Sequence, residues 1–142
     1  MNIMIVGGTG FVGRKLTQVL SNDHTVTIVA RSSNIEFKKS KNTIFIKADT
    51  SKEGEWQNRI ADQNVIINLA GAPIYKRWNT TNKKLIYDSR INTTRNIISS
   101  LKNNIGRVKT LINASAIGYY GFHGDEILDE GQEPGKDFLA DL

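Results

Sequence analysis

The chain has 142 residues, of which 39 % are hydrophobic and 23 % charged, and it contains no cysteine. This composition fits one globular domain and excludes a disordered tail, and no window approaches the ~18 uninterrupted apolar residues of a membrane span. The lack of cysteine excludes disulfides, thiolate metal sites and a cysteine nucleophile. We therefore expect a cytoplasmic protein with neither a membrane partner nor a bound metal.

The net charge of +5 and the isoelectric point near 9.5 raise the question of nucleic-acid binding. The basic residues are scattered, with modest concentrations at 38–41 and 76–84, whereas a nucleic-acid surface gathers them on one face. A basic cleft also concentrates phosphorylated small molecules. We therefore expect a small-molecule substrate and no nucleic-acid partner.

Apolar runs and turn residues predict strands and helices that alternate along the whole chain. The predicted strands are Asn2–Val6, Thr25–Ala30, Thr43–Ala48, Asn64–Leu69 and Val108–Ala114. The predicted helices are Phe11–Leu20, a short stretch at Glu53–Ile60, a long one at Thr80–Lys102 and the start of another at Asp137–Leu142. The remainder after the fifth strand is predicted to be a glycine-rich loop.

Each long helix is expected to turn one apolar face to the sheet. In the first helix this face is predicted to contain Phe11, Val12, Leu16, Val19 and Leu20. In the long helix it is predicted to contain Leu85, Ile86, Ile91, Ile97, Ile98 and Leu101. Strands that read as nearly continuous apolar runs between such helices are typical of a parallel sheet covered on both faces. We expect a doubly wound, Rossmann-type α/β domain over residues 1–142.

A glycine-rich turn follows the first strand, with glycines at Gly7, Gly10 and Gly13. In a dinucleotide site such glycines allow a sharp turn, a close approach of backbone to pyrophosphate, and tight packing of helix on sheet. The amides at the start of the helix then face the anion. The predicted cofactor contacts here are Gly7, Thr9, Gly10, Phe11, Val12 and Gly13. A plain glycine turn is the alternative.

The choice of cofactor is expected to depend on the residues that follow the second strand. An acidic residue there would bind the ribose 2′-hydroxyl of NAD, but the sequence has Ala30-Arg31-Ser32-Ser33. Arg31 can pair with a 2′-phosphate, and Ser32 or Ser33 can donate a hydrogen bond to it. The sequence predicts a preference for NADP(H) over NAD(H); the alternative is that Arg31 is a solvated loop charge.

With this turn, the sequence resembles the extended short-chain dehydrogenase/reductase superfamily of NAD(P)-dependent epimerases and dehydratases, and within it the "epimerase family" proteins. The resemblance covers essentially the whole chain. Besides the turn, it is carried by Asn68-Leu69-Ala70-Gly71, Pro73-Ile74, Arg77-Trp78, Asp88-Ser89-Arg90, Thr93-Thr94, the run from Asn113 to Gly121, Gly124-Asp125-Glu126 and Gly135 to Ala140.

The resemblance implies roles for residues at the ends of three other strands. Leu69, Ala70 and Gly71 would lie along the cofactor after the fourth strand, and Asp49 would bind the adenine amino group after the third. Ser115 would face the nicotinamide at the end of the fifth. An ordinary hydroxyl at a strand end is the alternative for Ser115.

The proton donor of this superfamily is a tyrosine followed four residues later by a lysine, which stabilises the phenolate. No tyrosine here has that lysine, Phe138 falls near the expected position, and Arg90 replaces the usual asparagine of the preceding helix. One hypothesis is that Tyr119 or Tyr120 acts as a displaced acid with Arg90 or another cation. The other is that the fold binds NADP(H) without dehydrogenase chemistry.

The favoured function is an NADP(H)-binding oxidoreductase or epimerase-like enzyme that acts on a small hydroxyl or carbonyl compound, for example a nucleotide-linked sugar. A non-catalytic dinucleotide-binding sensor or interaction module is the alternative. The superfamily adds a substrate lobe after its cofactor domain, so we expect this chain to be the cofactor-binding part of a longer protein. An unfinished sheet edge would then favour a homo-oligomer.

Overall fold

The computed structural model describes residues 1–32, 41–103 and 108–142. Its strands are β1 (Asn2–Val6), β2 (Thr25–Ala30), β3 (Thr43–Lys47), β4 (Val65–Asn68) and β5 (Thr110–Asn113). Its helices are α1 (Phe11–Leu20), α2 (Thr80–Asn103) and the short α3 (Phe138–Asp141), with 3₁₀ helices at Glu55–Arg59 and Ile117–Tyr120. Across these ranges no helix is both long and apolar enough to cross a bilayer.

The five strands form one parallel sheet in the order β3-β2-β1-β4-β5. The direction of winding reverses beside β1, because β2 and β4 pair on its two sides, with Val6 opposite both Val29 and Asn68. In sheets of this kind ligands bind beyond the carboxyl ends of the strands at the reversal. β5 lies at the sheet edge with Ile112 half exposed, and the expected self-association stays a prediction.

Two hydrophobic cores lie on opposite faces of the sheet. Met4, Val6 and Ile66 point to one face and pack with Ile97 of α2 and Trp56 of the first 3₁₀ helix. The alternate residues of β1 point to the other face, where a second cluster packs against Leu16 and Leu20 of α1; its buried members are Ile3, Ile5, Val26, Ile28 and Ile67. The predicted doubly wound fold, with helices on both faces, is confirmed.

The predicted buried face of α1 was partly wrong. Phe11 and Val19 are 91 % and 52 % exposed, and Val12 is also exposed, whereas the buried residues are Gly13 and Thr17. At its amino end the helix lies so close to the glycine turn that only a glycine fits at position 13, and of the predicted face Leu16 and Leu20 pack against the sheet. Hydrophobicity alone therefore misplaced the face by part of a turn.

The buried face of α2 also differs from the predicted apolar stripe. Leu85 and Ile98 are exposed, and the buried positions beside Ile86 and Ile97 are polar. These polar residues of α2 contact the segment between β3 and β4, and we call the contact the polar seam. Its members are Thr93, Asn96 and Ser100 of α2 and Thr50 and Gln57 of that segment.

Hydrogen bonds satisfy the polar seam from both sides. The Thr50 and Thr93 hydroxyls are 3.1 Å apart, and Asn96 Nδ2 donates to the Thr50 carbonyl at 3.0 Å. Gln57 Nε2 donates to Ser100 Oγ at 2.8 Å and to the Asn96 carbonyl at 3.0 Å. Polar residues can therefore occupy the inner face of this helix, because each finds a partner.

Candidate functional site

The turn after β1 has the backbone geometry that its glycines predict. Gly7 adopts a positive φ of 82° and donates from its amide to the Val29 carbonyl at 2.8 Å. The amide of Gly10 returns to the Gly7 carbonyl at 3.0 Å, and α1 begins with the bond from the Arg14 amide to the Gly10 carbonyl at 2.9 Å. The chain thus reverses within four residues and enters the helix.

Gly13 lets α1 approach the turn. A Cβ built on it would lie 2.6 Å from the Gly7 carbonyl oxygen and 2.7 Å from Gly8 Cα, both of which are backbone atoms that cannot swing away. Gly7 lies against the loop after β4, since a Cβ added to it would lie 2.9 Å from the Ala70 amide nitrogen. The turn, α1 and the loop after β4 are therefore in direct backbone contact.

The amino end of α1 is free to receive an anion. Its N-cap is Gly10, which offers no side-chain acceptor, and the first turn contains no acidic residue. Phe11 and Val12 are exposed, and the amides of residues 11–13 donate no hydrogen bond within the described part of the chain, where the first bond into α1 comes from Arg14. Such amides and the positive end of the helix dipole fit a pyrophosphate.

Three predicted residues lie at the ends of β2 and β3. Arg31 and Ser32 follow β2 directly and are exposed, whereas Ser33 lies outside the described residues. Asp49 is exposed after β3, and its Oδ1 accepts bonds from the Ser51 amide at 3.2 Å and the Ser51 hydroxyl at 2.7 Å. The next residue is Thr50 of the polar seam, whose hydrogen bonds to α2 hold the backbone beside the Asp49 carboxylate in place.

The loop after β4 is anchored by Asn68, whose role the sequence reasoning missed. This side chain is 4 % exposed, and its Nδ2 donates to Asn113 Oδ1 at 2.7 Å and to Thr94 Oγ1 at 3.2 Å. Its Oδ1 accepts from the Ala70 amide at 3.2 Å. The available signal was an asparagine that ends a buried apolar strand, where an unpaired amide would be costly.

The predicted catalytic residues follow β5. Ser115 is exposed just beyond the strand end, next to the loop after β4. Tyr119 and Tyr120 lie on the 3₁₀ helix at Ile117–Tyr120, which was predicted as loop, and their rings meet edge to face with centroids 5.1 Å apart. Neither phenol makes a hydrogen bond in the described part of the chain, so their predicted acid role stays a prediction.

Arg90 does not pair with either tyrosine. Its Nη1 donates to the carbonyls of Ala72 and Ile86, both at 3.1 Å, and its guanidinium covers Gly71. Burial lowers the pKa of Arg90 from its ordinary value by desolvating the charged form. The cation is therefore attached to the loop after β4 and not to a phenol.

Trp78 and Phe138 meet beside α2, away from the glycine turn in sequence. Their ring centroids are 5.4 Å apart, Trp78 Nε1 donates to the Ile74 carbonyl at 2.8 Å, and Lys83 Nζ lies 4.9 Å from the Phe138 ring centre. These residues line an open groove of about 680 Å³ with Tyr87. Phe138 is thus in contact with Trp78 and Lys83. Within the described ranges no three His, Asp or Glu side chains are grouped so that they could bind a metal ion.

Comparison with known families agrees with this geometry. Residues 3–138 match the model of the NAD dependent epimerase/dehydratase family. The chain is 35 % identical over 150 residues to the chloroplastic SDR39U1 homolog of Arabidopsis thaliana, an epimerase family protein, and 39 % identical over 143 residues to one of Staphylococcus haemolyticus. These alignments cover 100 % and 98 % of this chain but 42 % and 46 % of the relatives, so the chain spans less than half their length.

Solved structures show the same fold. The human epimerase family protein SDR39U1, solved with NADPH, is 27 % identical with a TM-score of 0.75, covering 99 % of this chain and 45 % of that one. The UDP-glucuronic acid 4-epimerase of Bacillus cereus, solved with NAD, has a TM-score of 0.82 at 18 % identity and covers 99 % of this chain and 48 % of that one. With the glycine turn and the sheet order in place, the chain belongs to the NAD dependent epimerase/dehydratase family.

Proposed function

We propose that this chain forms the dinucleotide-binding part of an NADP(H)-dependent oxidoreductase or epimerase-like enzyme. Its substrate would be a small hydroxyl or carbonyl compound such as a nucleotide-linked sugar. The observation that carries the proposal is the turn from Gly7 to Gly13, where unpaired amides at the start of α1 meet the winding reversal of the sheet. An anion at this position would accept hydrogen bonds from amides that have no other acceptor among the described residues.

The NADP(H) preference rests on the residues after β2. Arg31 and Ser32 are exposed and offer a guanidinium and a hydroxyl, and neither is a carboxylate that would repel a 2′-phosphate. Asp49, which follows β3, would accept a hydrogen bond from the adenine amino group through Oδ2, because both bonds from Ser51 go to Oδ1. The human relative solved with NADPH supports this choice, whereas the B. cereus epimerase solved with NAD shows that the fold accepts both.

The nicotinamide would supply a hydride acceptor or donor at the carboxyl edge of β4 and β5. Ser115 would orient the reacting hydroxyl or carbonyl by a hydrogen bond. The phenol of Tyr119 or Tyr120 would give or take the accompanying proton at its oxygen. Gly7, Gly10 and Gly13 would keep the backbone close enough to hold the pyrophosphate.

Titration with NADPH and NADH tests the binding part of this proposal. We expect tighter binding of NADPH, and we expect Arg31→Asp to weaken NADPH by about tenfold to a hundredfold, since a charge-assisted hydrogen bond is worth roughly 1.5–3 kcal/mol. NADH affinity should hardly change. Arg95→Asp, on the exposed side of α2, is the matched charge control. Tighter binding of NADH by the wild type would contradict the assignment.

A dinucleotide sensor without turnover is the second candidate. The observation in its favour is that neither the Tyr119 nor the Tyr120 phenol makes a hydrogen bond in the described residues, and that Phe138 packs against Trp78. NADPH oxidation with a panel of carbonyl compounds, measured on the full-length protein, separates the two. Turnover that falls at least tenfold in Ser115→Ala supports the enzyme, whereas NADPH binding without turnover supports the sensor.

A further inference from the structure

Three aromatic side chains line the open groove between the amino end of α2 and α3, which we call the aromatic groove. They are Trp78, Tyr87 and Phe138. Trp78 and Tyr87 are 43 % and 46 % exposed, and Phe138 is half-buried against Trp78. The groove has a volume of about 680 Å³, within the range of ~300–1,000 Å³ of small-molecule sites. Its rings therefore offer apolar surface to a molecule of that size.

The local structure restrains these rings. Trp78 Nε1 donates to the Ile74 carbonyl at 2.8 Å, which limits rotation of the indole. Tyr87 extends from α2, and the start of that helix is capped by Asn79, whose Oδ1 accepts from the Asn82 amide at 2.8 Å. A ligand that stacks on rings already held in place immobilises few further side chains, and the entropy cost of binding is reduced.

Lys83 brings a positive charge into the aromatic groove without a carboxylate beside it. Its Nζ lies 4.9 Å from the centre of the Phe138 ring. Lys84, the other lysine of the lining, is paired with Asp88 at 2.6 Å, whereas no ion pair of the described residues includes Lys83. The charge of Lys84 is therefore compensated and that of Lys83 is not. A negatively charged group is the complement of this groove.

The cation and one ring lie next to each other. Lys83 and Tyr87 are four residues apart in α2, so their side chains extend from one face of the helix. The groove also adjoins the segment that contains Tyr119, since a Cβ added to Gly118 would lie 3.2 Å from Cβ of Leu139, the neighbour of Phe138. None of the described residues that line the groove belongs to the glycine turn.

We infer that the aromatic groove binds a flat aromatic ring that carries a negatively charged substituent, such as an aromatic carboxylate. The ring stacks on Trp78 or Tyr87, and the anion accepts a charge-assisted hydrogen bond from Lys83 Nζ. The restrained rings select a flat apolar body, and the uncompensated lysine selects its charge. This site goes beyond the proposed function, because it uses no residue assigned to the dinucleotide.

Three probes separate the ring from the charge. The first, 2-naphthoate, is flat and anionic; 2-naphthamide is flat and neutral, and cyclohexanecarboxylate is anionic without a flat ring. Binding to the full-length protein is followed without NADPH through the indole N–H resonance of Trp78, with that of the buried Trp56 as the internal reference. We expect 2-naphthoate to shift the Trp78 resonance with a Kd below about 1 mM. Each of the other probes should bind at least about fivefold more weakly.

Two variants and a matched control assign the contacts. Lys83→Gln should weaken 2-naphthoate at least about fivefold and leave 2-naphthamide within about twofold, because only the naphthoate has a charge that the lysine can bind. Tyr87→Leu should weaken both naphthyl probes by about threefold or more, since it removes a stacking face. Lys102→Gln, at an exposed position in the last turn of the same helix, should change neither. Trp78 is kept in every variant as the reporter.

A Trp78 resonance that stays unmoved at 2-naphthoate concentrations well above that Kd overturns the inference, because the groove is then filled by another part of the protein or by a second copy. Equal losses of both naphthyl probes in Lys83→Gln, or the same loss of 2-naphthoate in Lys102→Gln, overturn it as well. If the variants do not fold, the wild type decides alone. Binding of 2-naphthamide or cyclohexanecarboxylate as tight as that of 2-naphthoate would then contradict the inference.

Discussion

Replacing Gly13 by alanine tests whether backbone contact between α1 and the glycine turn shapes the site. The new Cβ would lie 2.6 Å from the Gly7 carbonyl oxygen and 2.8 Å from Gly8 C, so the helix must retreat by several tenths of an ångström. Overpacking costs typically 1–3 kcal/mol, and contact with rigid backbone favours the upper half of that range. Alanine returns about 1 kcal/mol of helix propensity. The net loss of unfolding free energy is therefore about 1–2 kcal/mol.

Thermal unfolding measures this loss. With an unfolding entropy of roughly 2.1 cal/mol/K per residue, the melting temperature of Gly13→Ala should fall by about 3–7 °C. The affinity of NADPH should fall at least tenfold, because the amides of Gly10 and Phe11 move with the helix. Gly124→Ala is the matched control, since a Cβ there meets nothing within 4 Å. A Gly13→Ala protein with wild-type melting temperature and NADPH affinity would refute the reasoning.

Two further predictions concern the interior. In a double-mutant cycle, Thr50→Val and Thr93→Val should each cost about 1 kcal/mol in urea unfolding, with a coupling of about 0.5–1 kcal/mol between them; strict additivity would mean that the hydroxyls do not interact. Val19→Ala should change the unfolding free energy by less than about 0.5 kcal/mol, whereas Ile97→Ala should cost about 2–5 kcal/mol. If Val19→Ala cost as much as Ile97→Ala, Val19 would be buried, as the apolar pattern of α1 predicts.

Strand and helix positions could be predicted because each depends on a local pattern. The predicted β1, β2 and α1 agree with the structure to the residue, and the predicted end of α2 differs by one residue. The glycine turn could be predicted as well, since a strand, three spaced glycines and an amphipathic segment occur together. These signals are contained in neighbouring residues and need no knowledge of what packs across the sheet.

The inner faces of the helices could not be predicted in the same way. Which side of α1 is buried depends on how closely it approaches Gly7, and that distance is set by Gly13 and not by the apolar residues. The inner side of α2 accepts Thr93 and Asn96 because partners arrive from a segment more than 40 residues earlier. Likewise, the contact of Arg90 with Gly71 joins two elements that no periodicity connects. Each of these features is created by tertiary contact.

The polar seam has a consequence for the angular setting of α2. Hydrophobic burial is non-directional, whereas hydrogen bonds are directional, so a shift of α2 would leave the Thr93 hydroxyl and the Asn96 amide unpaired in the interior. Arg90 is three residues before Thr93, on the same side of the helix. The hydrogen bonds of Thr93 and Asn96 therefore oppose rotation of α2 about its axis. By fixing this rotation they also fix the side of the helix from which the Arg90 guanidinium reaches Gly71.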